Sequence, residues 1–139
     1  MAALFGNLFA GSPPAALGVH DGRLAPCPDR PNCVTSRGGD DTHAVAPFVV
    51  RGELNAAMGR LAALIEAQEG ATIVTRRDDY LHAEFRSKLM GFVDDLELLA
   101  APAARVIHVR SASRLGYGDL GVNRARVDAL HKAFAAGQP

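Results

Sequence analysis

The sequence has no excess of either charge and no long apolar run. Its 139 residues contain 15 Lys and Arg against 15 Asp and Glu, which gives a formal net charge of zero. A neutral chain lacks the basic surface of a nucleic-acid-binding protein and the basic excess that holds a protein on an anionic membrane. No stretch approaches the ~20 apolar residues of a membrane-spanning helix. We therefore predict neither a nucleic-acid partner nor a transmembrane segment.

The sequence also lacks the motifs of common catalytic and nucleotide-binding sites. It contains no nucleophile elbow, no Gly-x-x-x-x-Gly-Lys loop and no dinucleotide-binding fingerprint. Ser111 and Ser113 lie close to His108 in the sequence, but on a strand both serines would point away from the face that carries His108. A serine hydrolase is therefore not expected. We predict no cofactor and no bound metal ion.

The chain has only two cysteines, Cys27 and Cys33. Five residues separate them, whereas redox dithiols and zinc half-sites favour about two to four. A local disulfide is geometrically possible and would stabilise the fold by about 2 kcal/mol. In a reducing compartment the pair would instead be two free thiols, and the residues alone leave both states open.

Residues 1–45 are rich in helix and strand breakers. Five of the eight prolines lie there together with several glycines, and this punctuation forbids a long helix or a central strand. We predict an irregular arm over residues 1–45 that wraps around the protein. A single α+β domain is expected over residues 46–139.

The start of the arm has an apolar pattern of its own. Leu4, Phe5, Leu8 and Phe9 would share one face of a helix, which could contact a bilayer surface or a partner protein. The commoner alternative for a terminus is a disordered or locally docked tail. No Lys or Arg precedes Arg23, so the start does not match a secretory signal peptide, and the cytoplasm is the expected compartment.

The pattern from residue 46 onward alternates between strand and helix periodicity. A short apolar run is followed by apolar residues at helical spacing, then by four strand-like segments and a closing amphipathic helix. Short turns between consecutive strands imply an antiparallel sheet. The predicted fold class is α+β, with an antiparallel sheet of about five strands in the order β-α-β-β-β-β-α and two helices packed on one face.

Three segments together resemble a known family. They are Leu24-Ala-Pro-Cys-Pro-Asp-Arg-Pro-Asn-Cys-Val-Thr-Ser, Phe85-Arg-Ser-Lys-Leu-Met-Gly-Phe-Val-Asp-Asp and Ile107-His-Val-Arg-Ser-Ala-Ser-Arg-Leu-Gly-Tyr-Gly-Asp-Leu-Gly-Val-Asn-Arg-Ala-Arg-Val. The chain is similar to the bacterial and plastid proteins grouped as domain of unknown function 1499. The resemblance implies no particular activity. It does imply exported or lipid-anchored relatives, and in an exported protein Cys27 and Cys33 would form a structural disulfide.

The segment from Arg110 to Arg126 is the first candidate site. Glycines keep its loop open, and a helix is expected to begin near Leu120 or Gly121 with Asp119 as its cap. Arginines in the first turns oppose the positive end of the helix dipole, and a bound carboxylate or phosphate would resolve this conflict. The predicted ligand-binding residues are Arg110, Ser111, Ser113, Arg114, Tyr117, Asn123, Arg124 and Arg126.

A purely structural role is the alternative for the arginines of this segment. Arg124 and Arg126 could pair with nearby aspartates and only join the helix to the sheet. Such pairs are the commoner arrangement in proteins. The candidate partners are Asp94, Asp95, Asp119 and Asp128.

The second candidate site is one face of the predicted sheet. In the strand from Tyr80, alternation would turn Leu81, Ala83, Phe85 and Leu89 toward the core. The opposite face would carry His82, Glu84, Arg86 and, from the last strand, His108. These residues could support acid–base or metal chemistry. The alternative is a solvated face whose opposite charges pair across strands.

These observations leave three functions open. We expect first a non-enzymatic binding domain that takes an anionic small molecule or partner group at the 111–126 loop. An acid–base or metal-dependent enzyme that uses His82, Glu84 and His108 is the second. The third is a structural or assembly factor that docks a partner protein. The oligomeric state does not follow from the sequence.

Overall fold

The structure is a computed structural model, and it describes residues 10–138. The predicted apolar face of Leu4, Phe5, Leu8 and Phe9 lies outside the described residues. Within them, no helix is long and apolar enough to cross a bilayer.

The described chain forms eight strands and two helices. The helices are α1 (Leu54–Glu66) and α2 (Val122–Ala136). The strands are β1 (Val19–His20), β2 (Arg23–Leu24), β3 (Cys33–Thr35), β4 (Phe48–Val49), β5 (Ala71–Arg76), β6 (Tyr80–Arg86), β7 (Val93–Ala101) and β8 (Val106–Ser113).

One six-stranded sheet forms the centre of the fold. Its strand order is β3-β8-β7-β6-β5, β4 also pairs with β8, and every strand pair is antiparallel. This confirms the predicted α+β class with an antiparallel sheet and two helices. The sheet gains a strand from the predicted arm, because β3 lies within residues 1–45 and pairs with β8. The short hairpin of β1 and β2 stays outside the sheet.

The hydrophobic core lies between the helices and one face of the sheet. Helix α1 buries Ala57, Met58, Leu61, Ala62 and Ile65, and these side chains recur at the three- and four-residue spacing that brings them onto one side of the helix. Helix α2 adds its own buried stripe. Its buried apolar side chains are Val127, Leu130 and Phe134.

The opposite face of the sheet is covered by the arm. Leu24 of β2 packs with Tyr80 and Leu99 in a second, smaller apolar cluster. The backbone N–H of Gly18 donates a hydrogen bond of 2.7 Å to Glu97 on β7. The prediction of a solvated sheet face is therefore wrong at its centre, where His82 has an exposed fraction of only 6%.

The alternation predicted for β6 holds as far as the strand extends. Leu81, Ala83 and Phe85 belong to the core. The strand ends at Arg86, so Leu89 lies in the following loop with an exposed fraction of 84%, and its predicted core position is wrong. The loop begins there because Ser87 closes a turn, accepting a hydrogen bond from Gly91 N–H at its carbonyl oxygen.

Cys27 and Cys33 form a disulfide in the structure. The bond fastens the arm beside the edge strand β3. Of the two states that the sequence left open, the structure has the cross-linked one.

We expect replacement of Cys27 by Ser together with Cys33 by Ala to lower the free energy of unfolding by about 2 kcal/mol, since the cross-link restricts the unfolded chain. Thermal melts with and without dithiothreitol measure the effect. Reductant should lower the melting temperature of the wild type by several degrees and leave the variant unchanged. Equal melting temperatures for the wild type in both conditions would contradict this stabilising role.

Candidate functional site

A cluster of polar side chains is buried between the sheet and the arm. Period-two alternation on β6, β7 and β8 points six of them to the face that is opposite the helices, and Arg114 follows directly after β8. The pairing register sets His82 opposite Glu97, and Glu97 opposite Arg110. The cluster, which we call the buried polar cluster, consists of Tyr80, His82, Glu84, Asp95, Glu97, Arg110 and Arg114.

One half of the buried polar cluster is organised by Arg114. Its guanidinium donates hydrogen bonds of 2.8 and 2.9 Å to the two carboxylate oxygens of Asp95 and one of 2.5 Å to Glu84. His82 Nε2 lies 2.7 Å from Asp95 Oδ1. Fork-like contact between a guanidinium and a carboxylate is the strongest geometry for such a pair.

These contacts shift the pKa values of Asp95 and Arg114. Burial alone would raise the pKa of Asp95, but hydrogen bonds from His82 and Arg114 outweigh it and hold that pKa below its usual range. The hydrogen bonds to Asp95 likewise raise the pKa of Arg114. Both groups are therefore charged in the folded protein.

The same contacts bear on metal binding. Among residues 10–138, ligand atoms of His82, Glu84 and Asp95 lie within 4.8 Å of one another, which is close enough to surround a cation. The Arg114 guanidinium already bridges the two carboxylates and supplies the positive charge. This half of the cluster is a salt-bridge network.

The other half of the buried polar cluster is less completely paired. Glu97, whose exposed fraction is 0%, accepts a hydrogen bond of 2.5 Å from the Tyr80 hydroxyl at Oε2. Burial and this contact raise the pKa of Tyr80. The nearest cation, Arg110 Nη1, stands 3.8 Å from Glu97 Oε1. Within the described residues, Glu97 Oε1 and Arg110 Nε are buried with no hydrogen-bond partner.

Arg110 borders a cavity between the arm and the sheet, which we call the arm cavity. Its volume is about 480 Å³. Arg30 and Asn32 of the arm line it together with Arg110, Arg114 and Asp95. The Arg110 guanidinium also donates a long hydrogen bond of 3.4 Å to the carbonyl oxygen of Pro26.

The predicted ligand-binding residues of the 111–126 loop divide between the two faces of the sheet. Arg110 and Arg114 point toward the arm. Ser111 and Asn123 are buried on the helix side, where the Ser111 hydroxyl donates a hydrogen bond of 2.6 Å to Asn123 Oδ1. Tyr117 is exposed at the loop.

The helix start is satisfied from within the chain. Helix α2 begins at Val122, one residue after Gly121, whose φ of 79° is left-handed. The Asp119 carboxylate accepts hydrogen bonds from the backbone N–H groups of Gly121 and Asn123, and these contacts help to keep the pKa of Asp119 below its usual range against burial, which would raise it. Asp119 thus occupies the position that an external anion would take.

The two arginines of the helix also have partners within the chain. Arg124 donates hydrogen bonds of 2.9 Å to the carbonyl oxygens of Thr42 and Ala44. Arg126 donates to Asp94 at 2.8 Å and lies over the Phe85 ring. They hold helix α2 against the sheet and the arm.

A larger cavity of about 1130 Å³ opens at the end of the sheet beside the 111–126 loop. Ser113 and Arg126 line it together with Lys88 and Asp119. Its charged groups are largely neutralised locally, because Arg126 pairs with Asp94 and Asp119 caps α2.

The remaining residues of the second candidate site do not converge. His108 is separated from His82 by β7, and its Nδ1 lies 3.0 Å from the hydroxyl oxygen of Ser36. Burial lowers the pKa of His108, and the nearby charge of Arg37 lowers it further. Arg86 lies at the end of β6 and is exposed.

Two polar residues of the arm that line the arm cavity were not among the predicted site residues. Arg30 and Asn32 lie in the segment between Pro26 and Ser36, which supplied no periodic pattern. The signal that could have found them is the density of polar residues between the cysteines. Arg30 and Asn32 are far from β8 in the sequence, so the sequence does not show that they lie beside Arg110 in the same cavity.

No curated protein and no solved structure matches the chain significantly. A family model described as "Protein of unknown function (DUF1499)" matches residues 23–134. The match runs from β2 into α2, and it therefore includes the buried polar cluster, both cysteines and all of the arm-cavity lining except Pro14 and Ala16. The chain belongs to the DUF1499 family.

Proposed function

We propose that this protein is a non-enzymatic binding domain that takes a small anionic group in the arm cavity, at Arg110. The observation that carries the proposal is the incomplete pairing of a buried arginine. Arg110 has an exposed fraction of 4%, and its Nε has no hydrogen-bond partner among residues 10–138. Buried charges in proteins are normally paired and hydrogen-bonded.

Electrostatics favours an anion as the missing partner. Burial lowers the pKa of Arg110, and Glu97, the nearest carboxylate, only partly offsets this effect from 3.8 Å. By contrast, Arg114 donates three short hydrogen bonds to Asp95 and Glu84. A carboxylate or phosphate oxygen in the arm cavity beside the Arg110 guanidinium would supply a charge-assisted partner at short range.

The lining of the arm cavity defines the class of ligand. Arg30 is exposed at the rim and adds a second cation, and Asn32 adds an amide. Prolines of the arm give the remaining wall an apolar character. A volume of about 480 Å³ suits a small organic acid or phosphate ester, because ligand pockets are mostly apolar with a few polar groups that fix orientation.

We test the proposal with inorganic phosphate, sulfate, acetate and succinate, each titrated against the protein by thermal shift and calorimetry. A probe at a hundred times its dissociation constant should add about 2.7 kcal/mol and raise the melting temperature by several degrees. Arg110→Lys keeps the charge beside Glu97 but removes Nε, so we expect about tenfold weaker binding. Arg30→Ala should weaken binding less, because Arg30 is exposed.

Two matched variants make the test specific. Arg51→Ala removes an exposed arginine in the connection between β4 and α1 and should bind the probes as the wild type does. Arg126→Lys alters the larger cavity at the 111–126 loop and should also leave binding unchanged. Failure of all four probes to bind, or weaker binding in Arg126→Lys with full binding in Arg110→Lys, would reject an anion site at Arg110.

A further inference from the structure

The larger cavity lies over the end of the sheet, on the face that the helices cover. Its floor is a row of residues from four strands, since Ala71 pairs with Phe85, Phe85 with Asp94 and Asp94 with Ser113. Directly paired residues face the same side of a sheet, and Phe85 belongs to the core beneath the helices. The segment after α1 and the start of α2 also line the cavity, whose volume is about 1130 Å³.

The walls of the larger cavity are mostly apolar. Leu115 and Val122 line it and keep exposed fractions of 41% and 47%, so folding buries only part of their surface. A concave, mostly apolar surface with a few polar groups is typical of a small-molecule pocket. The large apolar side chains of the lining are Phe85, Phe92, Val93, Leu115, Leu120 and Val122.

Leu120 has a backbone conformation that leucine rarely adopts. Its φ is 57°, in the left-handed region that favours glycine and asparagine. The exposed fraction of Leu120 is 105%, so its side chain contributes no packing that would offset this strain. Strained residues of this kind concentrate at ligand-binding sites. A bound apolar molecule would give the Leu120 side chain a contact that the folded chain alone does not.

The charges around the larger cavity cancel. Arg126 Nη2 lies 2.8 Å from Asp94 Oδ2, and Lys88 Nζ lies 3.5 Å from Glu69 Oε1. By contrast, three arginines and a single aspartate line the arm cavity. The larger cavity therefore favours a neutral ligand and not an anion. Its three acidic and three basic lining residues are Glu69, Asp94, Asp119, Arg86, Lys88 and Arg126.

The floor of the larger cavity offers one acceptor and one donor side by side. Arg126 uses Asp94 Oδ2, whereas Asp94 Oδ1 has no hydrogen-bond partner among residues 10–138. Asn123 Nδ2 donates a hydrogen bond of 3.0 Å to the Ser113 hydroxyl oxygen, which leaves the hydroxyl hydrogen to donate elsewhere. Asp94 and Ser113 are direct partners across β7 and β8. A ligand hydroxyl group, which both donates and accepts, matches this pair.

We propose that the larger cavity binds one neutral, mostly apolar molecule that carries a hydroxyl group. The hydroxyl group donates to Asp94 Oδ1 and accepts from Ser113, and the apolar body packs against Leu115, Leu120 and Val122. The volume of about 1130 Å³ is at the upper end of the range for pockets that bury a drug-sized ligand. This site lies on the opposite face of the sheet from Arg110 and does not depend on the anion site.

The test is a fluorescence titration of the full chain with 2-naphthol, a neutral aromatic alcohol. The chain contains no tryptophan, so the protein does not obscure naphthol fluorescence. We expect saturable binding of one molecule with a dissociation constant below about 1 mM. Two analogues test the hydroxyl group and the charge. Both 2-methylnaphthalene, which lacks the hydroxyl group, and the anion 2-naphthoate should bind at least about tenfold more weakly.

Two variants locate the site. Leu120→Gly removes part of the apolar wall and should weaken 2-naphthol binding about fivefold. Glycine adopts the φ of 57° without strain, so the melting temperature should equal or exceed that of the wild type. Ser113→Ala should weaken binding of 2-naphthol and leave that of 2-methylnaphthalene unchanged. In Ser113→Ala the Asn123 amide keeps Asp119 and the carbonyl oxygen of Asn32 as partners, so the fold should persist.

Matched controls separate this site from the arm cavity and from general surface hydrophobicity. Arg110→Lys should bind 2-naphthol as the wild type does, whether or not it binds phosphate. Val49→Thr/Val74→Thr removes exposed apolar groups from β4 and β5, which do not line the larger cavity at these positions, and should also bind normally.

Three outcomes would overturn the proposal. The first is absence of saturable 2-naphthol binding, and the second is binding of 2-naphthoate as tight as that of 2-naphthol. The third is normal binding in Leu120→Gly. If the wild type also dimerises in analytical ultracentrifugation and Leu120→Gly does not, a failure to bind 2-naphthol would make the cavity walls an interface between two copies of the chain.

Discussion

Replacing Arg114 with Met is expected to lower the free energy of unfolding by about 3–5 kcal/mol. The arginine holds both carboxylate oxygens of Asp95, whose exposed fraction is 1%, and it also contacts Glu84. Methionine replaces the aliphatic part of the arginine side chain but leaves two buried or half-buried carboxylates beside each other without a cation. Removing one partner of a buried ion pair leaves the other charge buried without a partner. This costs far more stability than replacing both partners by hydrophobic residues.

Urea unfolding of the wild type and variant measures the loss. Arg124→Met is the matched control, since this arginine makes exposed hydrogen bonds to two backbone carbonyls. We expect it to cost less than about 1 kcal/mol. Equal losses of unfolding free energy in the two variants would show that the Arg114 ion pairs stabilise the fold no more than the exposed hydrogen bonds of Arg124 do.

The pH dependence of stability gives a second readout of the same network. Because the folded-state pKa of Asp95 is lowered from 3.8, its contribution is fully present above that value and is lost as the pH falls through the lowered pKa. In Arg114→Met only His82 opposes the effect of burial, so the pKa of Asp95 should rise. Acid unfolding of the variant should then begin at a higher pH than in the wild type, beyond what its lower stability alone produces.

The α+β fold was predictable because its signals are local. Alternation along β6 and helical spacing in α1 each arise within a few turns or pleats of one segment. The sheet order follows from short connections between β5, β6, β7 and β8. Strand β3 was missed because it has only three residues and lies among prolines, and its pairing with β8 depends on a contact about eighty residues away.

The site was harder to predict because the sequence shows which residues are charged but not which residues they pair with. Arg110 and Arg114 are both arginines on one face of one strand and its continuation. One has a nearly complete set of partners in Asp95 and Glu84, and the other does not. The carboxylates that make this difference lie on β6 and β7, and their distances to the two arginines depend on side-chain geometry that the sequence does not show. The arm that covers this face has no periodic pattern that would indicate which face it covers. Arg126 pairs with Asp94, one of the aspartates of the structural alternative, whereas Arg124 donates instead to two backbone carbonyl oxygens of the arm.

The second large effect is expected at Asn123. Its exposed fraction is 0%, and its side-chain amide makes hydrogen bonds on both of its ends. Oδ1 accepts from Ser111 and Arg126, at 2.6 and 2.9 Å. Nδ2 donates to the carbonyl oxygen of Asn32, at 3.2 Å, and to Asp119, at 2.7 Å. One side chain therefore joins helix α2 to β8, to its own cap and to the arm.

Asn123→Ala should lower the free energy of unfolding by about 3 kcal/mol, because it leaves several buried polar groups without partners. Asn55→Ala, on the exposed face of α1, is the matched control and should change stability by less than about 0.5 kcal/mol. Phosphate titration of Asn123→Ala at low temperature then separates structure from binding. Asn123 contacts Ser113 and the backbone of Asn32, which line the arm cavity, but within the described residues it makes no hydrogen bond to Arg110. We therefore expect stability to fall while affinity changes by less than about threefold. Normal stability with lost phosphate binding would instead make Asn123 a ligand-binding residue and return the anion site to the 111–126 loop.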